Sequence, residues 1–347
     1  MIKIFDGHND LLLRLWISKD FNGSLFFKGG KSKFANVQKL YRNLGIGEKG
    51  HIDFDRAISG GLVGGLFAIF VPSHNLISPE NSTQSTSNLV HHTNNVIDQR
   101  YAYKVTTEML DIVTNMAKSN PLKFKIIKSK HDLKNNCFSE KSVSALLHLE
   151  GAEAISSDFR ELEEFYNRGL RSIGPVWSRS NIFGTGVPFK FLQSPDQGPG
   201  LTALGKELVL ACSKMGILLD LSHMNERGFW DVVKISSMPL IASHSNAFTL
   251  SKSPRNLTNE QLDAIRDSRG IVGLNFATGF LREDGKSNTS TSVEVLIKHL
   301  DFLLNKLGEN GVALGSDFDG AAIADFMRDC SGLQKLVDAM DKSGFGD

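Results

Sequence analysis

The chain has 347 residues, of which 41% are hydrophobic and 22% charged, a composition typical of a globular protein with a large core. Its 39 basic and 38 acidic side chains nearly cancel, which excludes a general attraction to nucleic acid or to an anionic membrane. No stretch approaches the roughly 18 apolar residues of a membrane span. The three scattered cysteines, Cys137, Cys212 and Cys330, are typical of a reducing compartment, so we expect a cytoplasmic protein.

Short apolar runs recur along the chain, and helical patterns separate several of them. The predicted strands are 2–5, 63–71, 144–149, 170–176, 217–221, 240–242, 271–276 and 312–315. Short, mostly apolar strands are expected in a parallel sheet that is covered on both faces. Strand-then-helix order around eight strands favours a (β/α)8 TIM barrel, although spacing alone leaves a doubly wound sheet open.

The helices of the chain are predicted from their end signals. The predicted helices are 88–119, 158–168, 202–215, 258–266 and 292–307. Asp158 is expected to cap the second of these, and Thr258 with Gln261 fits a capping box at the start of the fourth. Two irregular insertions, near 21–50 and 181–200, follow the first and fourth predicted strands, where a barrel carries its active-site loops. We therefore interpret residues 1–347 as a single barrel domain with two insertions.

Acidic and histidine side chains follow several of the predicted strands. His8 and Asp10 are two residues apart in an extended segment, so both can reach the same metal ion. Glu150 ends the third strand, where a buried carboxylate is costly unless it is paired or bound to metal, and it can bridge two ions. His223 and His244 each follow an apolar strand, and two such histidines on adjacent strands favour metal binding over a structural role.

The eighth strand is followed by Asp317, whose position suits a general base and acid beside a metal site. Asp319 precedes a turn glycine and is interpreted as a supporting carboxylate. His148 shares the strand parity of Glu150 and is a rival ligand, but we favour a hydrogen-bonded core histidine. The glycine-rich segment 60–65 lacks the Gly-Lys-Ser/Thr of a phosphate-binding loop and is interpreted as tight packing.

Six motifs, in this order, resemble those of the membrane dipeptidase (renal dipeptidase) family of zinc peptidases. The motifs are DGHNDL (6–11), HLEGAEAI (148–155), DLSH (220–223), SHSNA (243–247), RNLT (255–258) and GSDFDG (315–320). The resemblance implies an amidohydrolase-like barrel that hydrolyses dipeptides by a hydroxide activated by two Zn²⁺ ions. Dipeptides with a D-residue at the C-terminal position are among the expected substrates.

The same resemblance implies a role for each candidate residue. The implied metal ligands are His8, Asp10, Glu150, His223 and His244. The first two hold one ion, the glutamate bridges, and the two histidines hold the other ion. Asp317 corresponds to the catalytic aspartate, and Arg255 to the residue that binds the substrate's terminal carboxylate, for which a guanidinium fork is well suited. Mixed nitrogen and oxygen ligands also admit divalent metals other than zinc.

Departures from the family pattern keep alternatives open. Trp177 stands where animal members carry a substrate-binding histidine, and it could stack on a substrate side chain. The disulfide cysteines and anchor segments of those members are not apparent, and a truncated C-terminus is one interpretation of where the chain stops. The functional alternatives are another amidohydrolase reaction, such as an N-acyl amino acid deacylase, a lactonase or a phosphotriesterase, and a non-catalytic metal-binding relative. We expect a dipeptide or small-amide substrate and neither nucleic acid nor membrane as a partner, and a homodimer stays open.

Overall fold

The computed structural model describes residues 1–73, 96–136 and 141–345. The strands in these ranges are β1 (Ile4–Asn9), β2 (Leu62–Phe70), β3 (Phe124–Ile126), β4 (Val143–Glu150), β5 (Leu170–Gly174), β6 (Leu218–Leu219), β7 (Ile241–Ala242), β8 (Ile271–Asn275) and β9 (Val312–Gly315). All their pairings are parallel. Cys137 and the first part of the predicted helix 88–119 lie outside the described residues.

Eight of these strands close into a ring. The strands β1, β2, β4, β5 and β6 pair side by side in that order, and β7, β8 and β9 form a second run. A parallel bridge between Asp220 and Ile241 joins β6 to β7, and one between Asn9 and Phe318 joins β9 to β1. The Asp10 N–H donates to the Phe318 carbonyl at 2.8 Å across the second junction. The predicted (β/α)8 barrel is therefore confirmed, while β3, which was not predicted, pairs with β4 outside the ring.

Helices surround the ring. They are α1 (Leu11–Ile17), α2 (Ser24–Phe27), α3 (Ala35–Asn43), α4 (Phe54–Gly60), α5 (Gln99–Ser119), α6 (Lys130–Asn136), α7 (Arg160–Arg168), α8 (Ala203–Met215), α9 (Glu226–Ile235), α10 (Asn259–Asp267), α11 (Thr278–Leu281), α12 (Val293–Leu307) and α13 (Leu333–Lys342). In α5, Val105, Met109, Ile112 and Met116 recur at helical spacing and are buried in the core. Among the described helices, none has the length and apolarity needed to cross a membrane.

Two helix starts show how local side chains set the element boundaries. The predicted capping box is present, because Thr258 accepts from the Gln261 N–H and the Gln261 side chain accepts from the Thr258 N–H. The predicted Asp158 cap is wrong. The N-cap is Phe159, so α7 begins two residues later than predicted. The Asp158 carboxylate accepts from the backbone N–H of Arg160, at 3.3 Å, and from its Nε, at 2.9 Å.

The first strand and the first insertion also differ from the prediction. β1 begins at Ile4 rather than residue 2 and continues through Asn9, because Asp6 inside it is buried and satisfied. The Asp6 carboxylate accepts from both the backbone N–H and the hydroxyl of Ser316, each at 2.7 Å. The segment 21–50 is not irregular throughout, since it contains α2 and α3. Its residues Leu40 and Tyr41 line a cleft at the carboxyl ends of the strands.

Candidate metal centre

Five side chains meet at the carboxyl end of the barrel, where three histidines surround one carboxylate oxygen. Glu150, the last residue of β4, has its Oε1 3.0 Å from Nε2 of His223. The same oxygen lies 3.5 Å from Nε2 of His244 and 3.6 Å from Nε2 of His8. Asp10 approaches from β1, with its Oδ2 3.4 Å from the His8 Nε2. The five residues that the sequence singles out as ligands are therefore neighbours in space.

Three groups of these side chains could each hold a metal ion, with donor atoms within 4.8 Å of one another. The groups are His8–Asp10–Glu150, Glu150–His223–His244 and His8–His244–Asp317. Glu150 belongs to the first two of these groups. Neither ring nitrogen of His8, which is fully buried, has a hydrogen-bond partner within the described part of the chain. A buried imidazole with two unsatisfied nitrogens fits a metal ligand, because such groups are otherwise hydrogen-bonded.

The charges at this site also fit a bound cation. Burial raises the pKa of Glu150 well above its ordinary value, and the neighbouring Asp10 and Asp317 carboxyls raise it further. Burial likewise raises the pKa of Asp10, to about 7. For His223 and His244, burial lowers the pKa well below the ordinary value, which keeps the rings neutral. A divalent cation would offset the cost of burying ionised carboxylates, and neutral imidazoles have a free lone pair with which to coordinate it.

The backbone is strained where it presents these groups. His223, Asp317 and Asp319 all have left-handed backbones, with φ of 66°, 59° and 66°. Such conformations are uncommon outside glycine and concentrate at functional sites. Gly320 follows directly, and a Cβ there would lie 2.2 Å from Oδ2 of Asp10 and 2.6 Å from Oδ1 of Asp317. The turn after β9 therefore brings the backbone against two of the site's carboxylates.

Serine hydroxyls orient the two neighbouring histidines, and the sequence did not reveal them as functional. The Oγ of Ser243 lies 2.8 Å from Nδ1 of His244 and donates to Oδ2 of Asp220 at 2.5 Å. The Oγ of Ser178 lies 2.8 Å from Nδ1 of His223. Outer hydrogen bonds of this kind fix which ring nitrogen of a metal-ligating histidine is free. Asp220 and Ser243 shortly precede the candidate residues His223 and His244, and Ser178 directly follows Trp177. This closeness in the chain is the only signal that the sequence offered.

Arg255 lies behind His223 and contributes a buried positive charge. Its Nε donates to Nδ1 of His223 at 3.1 Å, its Nη1 to Oγ of Ser245 at 3.1 Å and its Nη2 to the His244 carbonyl at 3.0 Å. A guanidinium has five N–H donors, so one remains on each Nη atom. Among the described residues, those that line the cleft include Arg179 and not Arg255. Arg255 therefore lies below the cleft surface and contacts the candidate metal ligands from there.

Two further candidates take supporting positions. His148 has its Nδ1 3.0 Å from the hydroxyl of Ser172, and it belongs to none of the three groups found in the described ranges. Asp319 lines the cleft, but its carboxylate faces Arg14 at 3.5 Å and its backbone N–H donates to Nδ1 of His51 at 2.9 Å. His148 therefore lies deeper in the core, and Asp319 is held by its own partners.

The site opens into a cleft of about 270 Å³. This volume is close to the lower end of the range for small-ligand sites. Its floor is formed by the candidate metal and catalytic residues Asp10, Glu150, His223 and Asp317. Trp177 lies beside them, with its ring centroid 5.6 Å from that of His223. The structure thus brings the tryptophan to the edge of the metal-ligand cluster.

Sequence and structure comparisons identify relatives of this arrangement. The family described as "Membrane dipeptidase (Peptidase family M19)" matches residues 1–347. The chain belongs to the membrane dipeptidase family. A metallo peptidase from Rhodobacter sphaeroides, solved with a phosphinate mimic of the dipeptide L-Ala-D-Ala, is 40% identical with a TM-score of 0.88, covering 100% of this chain and 94% of that one. Dipeptidase AC, a metallo peptidase of family M19, is also 40% identical, with a TM-score of 0.86 and coverage of 100% and 93%.

A further relative is known from sequence. An uncharacterized protein in the PQQ-III 3' region of Acinetobacter calcoaceticus is 38% identical over 313 residues, which are 88% of this chain and 90% of that protein. The family assignment inferred from the six motifs is confirmed. As a member of this dipeptidase family, the protein is a metallopeptidase, a hydrolase that uses a divalent metal.

Proposed function

We propose that this metallopeptidase hydrolyses the peptide bond of dipeptides with two divalent cations, zinc in the first instance. The observation that carries this proposal is the position of Glu150, whose Oε1 lies within 3.6 Å of three histidine Nε2 atoms and which belongs to two candidate metal groups. The Rhodobacter sphaeroides relative, 40% identical over the whole chain, was solved with a mimic of L-Ala-D-Ala. We therefore infer that dipeptides with a C-terminal D-residue are among the substrates.

We assign one ion to His8 and Asp10 and the other to His223 and His244, with Glu150 bridging. The two groups that share the glutamate support this division. In the present arrangement the Nδ1 of His223 accepts from Arg255, because an Arg Nε–H can only donate. Ligation through Nε2 requires the proton on Nδ1 instead, and the Ser178 hydroxyl at 2.8 Å is placed to accept it.

Asp317 is proposed as the general base and acid. Divalent ions held at this site would polarise the scissile carbonyl and make water a stronger nucleophile at neutral pH. Asp317 is held in place by the Asn275 amide, which donates to its Oδ2 at 3.0 Å, and by its own N–H, which donates to the His8 carbonyl. Burial raises the pKa of the Asp317 carboxyl, which favours taking a proton from water and returning it to the leaving amine.

Arg255 is proposed to bind the terminal carboxylate of the substrate. Each of its Nη atoms has one N–H that is not used in the hydrogen bonds described above, and two such donors can bind the two oxygens of a carboxylate. Because Arg255 lies below the cleft surface, this role requires its Nε–H to leave Nδ1 of His223, the nitrogen that metal ligation also requires to be freed. Trp177 is proposed to contact the substrate from the side of the cleft, where its ring faces His223.

We further propose that residues 1–347 form one catalytic domain, with its insertions on the active-site face. The helices α2 and α3 of the first insertion support this, since Leu40 and Tyr41 from it line the cleft. A cytoplasmic location is inferred from the odd, sparse and scattered set of cysteines in the sequence.

A substrate panel tests the proposed function. Protein with quantified metal is assayed with L-Ala-L-Ala, L-Ala-D-Ala, L-Ala-D-Ala amide, N-acetylalanine and a simple lactone. We expect hydrolysis of the dipeptides, lost with a chelator and restored by zinc, and a much higher KM for the amide, which lacks the carboxylate. Hydrolysis of only the acylated amino acid or the lactone would assign the site to another amidohydrolase reaction. Inactivity towards every compound with two metals bound would contradict the proposal.

A further inference from the structure

One side of the cleft is formed by aromatic rings, here called the aromatic wall: Phe70, Trp177, Phe189 and Phe280. All four line the cleft. The ring centroids of Phe70 and Trp177 are 4.9 Å apart, and those of Trp177 and Phe189 are 5.4 Å apart. Phe189 in turn stacks on Phe280, with their ring centroids 5.8 Å apart. The rings thus form a continuous apolar surface beside the proposed metal site.

This surface is available to a ligand. Phe70 and Trp177 are buried, each 7% exposed, whereas Phe189 and Phe280 are only partly buried although both are large and apolar. Covering exposed aromatic surface inside a concave site contributes favourable free energy to ligand binding. None of the four side chains carries a charge or a hydrogen-bond acceptor, so the wall suits an apolar group of the substrate.

The aromatic wall is also held in place before any ligand arrives. The Arg179 guanidinium lies 5.1 Å from the Trp177 ring and 5.2 Å from the Phe70 ring. Arg179 is itself fixed by a buried ion pair with Glu153, in which Nε and Oε1 are 2.6 Å apart, and by the Val71 carbonyl at 2.8 Å. Because Phe70 and Trp177 are buried and packed against this anchored guanidinium, little conformational entropy is lost when a substrate side chain packs against these two rings.

The aromatic wall lies close to Arg255, and this position determines which residue of a bound dipeptide contacts the wall. The Cζ of Arg255 lies 5.8 Å from the Phe280 ring centroid. The His223 ring, which contacts Arg255, is 5.6 Å from Trp177 and 6.2 Å from Phe189. A carboxylate bound by Arg255 therefore places the side chain of its own residue against these rings.

We infer that the aromatic wall is the subsite for the side chain of the C-terminal residue, and that this protein prefers dipeptides whose C-terminal residue is large and apolar. The inference rests on the proposed dipeptidase function and deepens it by naming the substrate class. A single methylene group in an apolar pocket changes selectivity by about 10- to 200-fold. Leucine or phenylalanine at this position should therefore exceed glycine in kcat/KM by about tenfold or more, chiefly through a lower KM.

The test uses metal-loaded protein and the series Ala-Gly, Ala-Ala, Ala-Leu and Ala-Phe, with the last three in both configurations at the C-terminal residue. Phe280→Ala should lower kcat/KM for the leucine and phenylalanine peptides at least about tenfold more than for Ala-Gly. Phe280→Leu keeps most of the apolar surface and should retain most of the preference. Trp230→Leu changes an aromatic side chain of α9 outside the cleft lining and should leave the whole series unchanged.

The outcomes separate this inference from the function on which it rests. Selectivity for the large residues that Phe280→Ala removes would support the aromatic wall as the subsite. Equal rates across the wild-type series, or an equal partial loss on all peptides in a Phe280→Ala protein that still cleaves Ala-Gly, would overturn the inference while the dipeptidase function stands. Hydrolysis of Ala-Gly shows that a variant is folded and metal-loaded, so a complete loss of Ala-Gly hydrolysis in Phe280→Ala identifies a misfolded variant. In that case the inference is tested on the peptide series with Phe280→Leu. Failure to cleave any dipeptide would overturn both.

Discussion

Gly320 offers a direct way to disturb the site without changing any of its functional groups. The residue has an ordinary backbone conformation, because its φ is not among the positive values, so alanine is allowed there on backbone grounds. Its Cβ, however, would lie 2.2 Å from Oδ2 of Asp10 and 2.6 Å from Oδ1 of Asp317. Gly320→Ala therefore acts on the proposed metal ligand and the proposed base together.

The size of the effect follows from these distances. Ordinary contact with a Cβ begins at 3.4 Å, so the Asp10 oxygen must retreat by the difference from 2.2 Å, about 1.2 Å. Misplacement of a reacting group by about 1 Å can cost roughly 10²-fold in rate. We expect kcat/KM for L-Ala-D-Ala to fall by about 10²-fold, which corresponds to about 2.7 kcal/mol of transition-state stabilisation.

Steady-state kinetics together with metal analysis by mass spectrometry measure this effect. Gly216→Ala is the control, because that glycine has a φ of 69° and open space around its Cβ position. The control should lose about 1 kcal/mol of stability and keep its kcat/KM. Gly320→Ala should show the opposite pattern, with a nearly normal unfolding midpoint. A Gly320→Ala enzyme within threefold of the wild-type kcat/KM would refute the proposed roles of Asp10 and Asp317.

Three further predictions address single groups. Asp317→Asn should lower kcat by about 10²- to 10⁴-fold with both metals retained, because an amide keeps the size of the side chain but cannot take the proton. Ser243→Ala should weaken metal binding by about 10- to 100-fold, measured by competition with a chelator, because His244 loses the hydroxyl that orients it. Burial lowers the pKa of His299 to about 4 from an ordinary value of 6.5. The unfolded state therefore binds the proton first, so that stability present above pH 6.5 is lost as the pH falls towards 4, by up to about 3 kcal/mol.

Each of these has a control and a contrary result. Near-normal turnover of metal-loaded Asp317→Asn would assign the proton transfer to another group. Ser129→Ala removes a serine that donates to a surface Asp132, and it should leave metal affinity unchanged. Equal affinity of wild type and Ser243→Ala would contradict the orienting role. For His299, the free energy of unfolding is compared with that of His299→Gln between pH 4 and 7, and parallel curves would contradict the cause assigned to the acid dependence.

The sequence predicted the barrel and the ligand cluster for one physical reason. Parallel strands buried on both faces leave apolar runs, and the barrel gathers the residues at their carboxyl ends. Glu150, His223 and His244 each stand at or just beyond the end of such a run, so their convergence could be expected before the structure was known. β1 was misplaced because Asp6 and His8 lie inside the strand, and their buried polar side chains interrupt the apolar pattern.

Features that depend on contacts between distant elements were not predictable in this way. The link from Asp220 through Ser243 to His244 joins the ends of β6 and β7 by side-chain hydrogen bonds that have no sequence pattern. The aromatic wall likewise brings Phe189 and Phe280 together across about ninety positions of the chain. An isolated phenylalanine in a loop carries no periodic signal, and its role becomes visible only when its ring is seen facing the cleft.

Metal titration of activity tests the two-metal proposal most directly. The protein is depleted of metal with a chelator, and Zn²⁺ is added in measured equivalents while the hydrolysis of L-Ala-D-Ala is followed. Because Glu150 is shared by both proposed sites, we predict that activity reaches its maximum as the second equivalent binds, and that Glu150→Gln abolishes tight binding of both. Full activity in the metal-depleted protein, or a maximum at one equivalent with no second site, would contradict it.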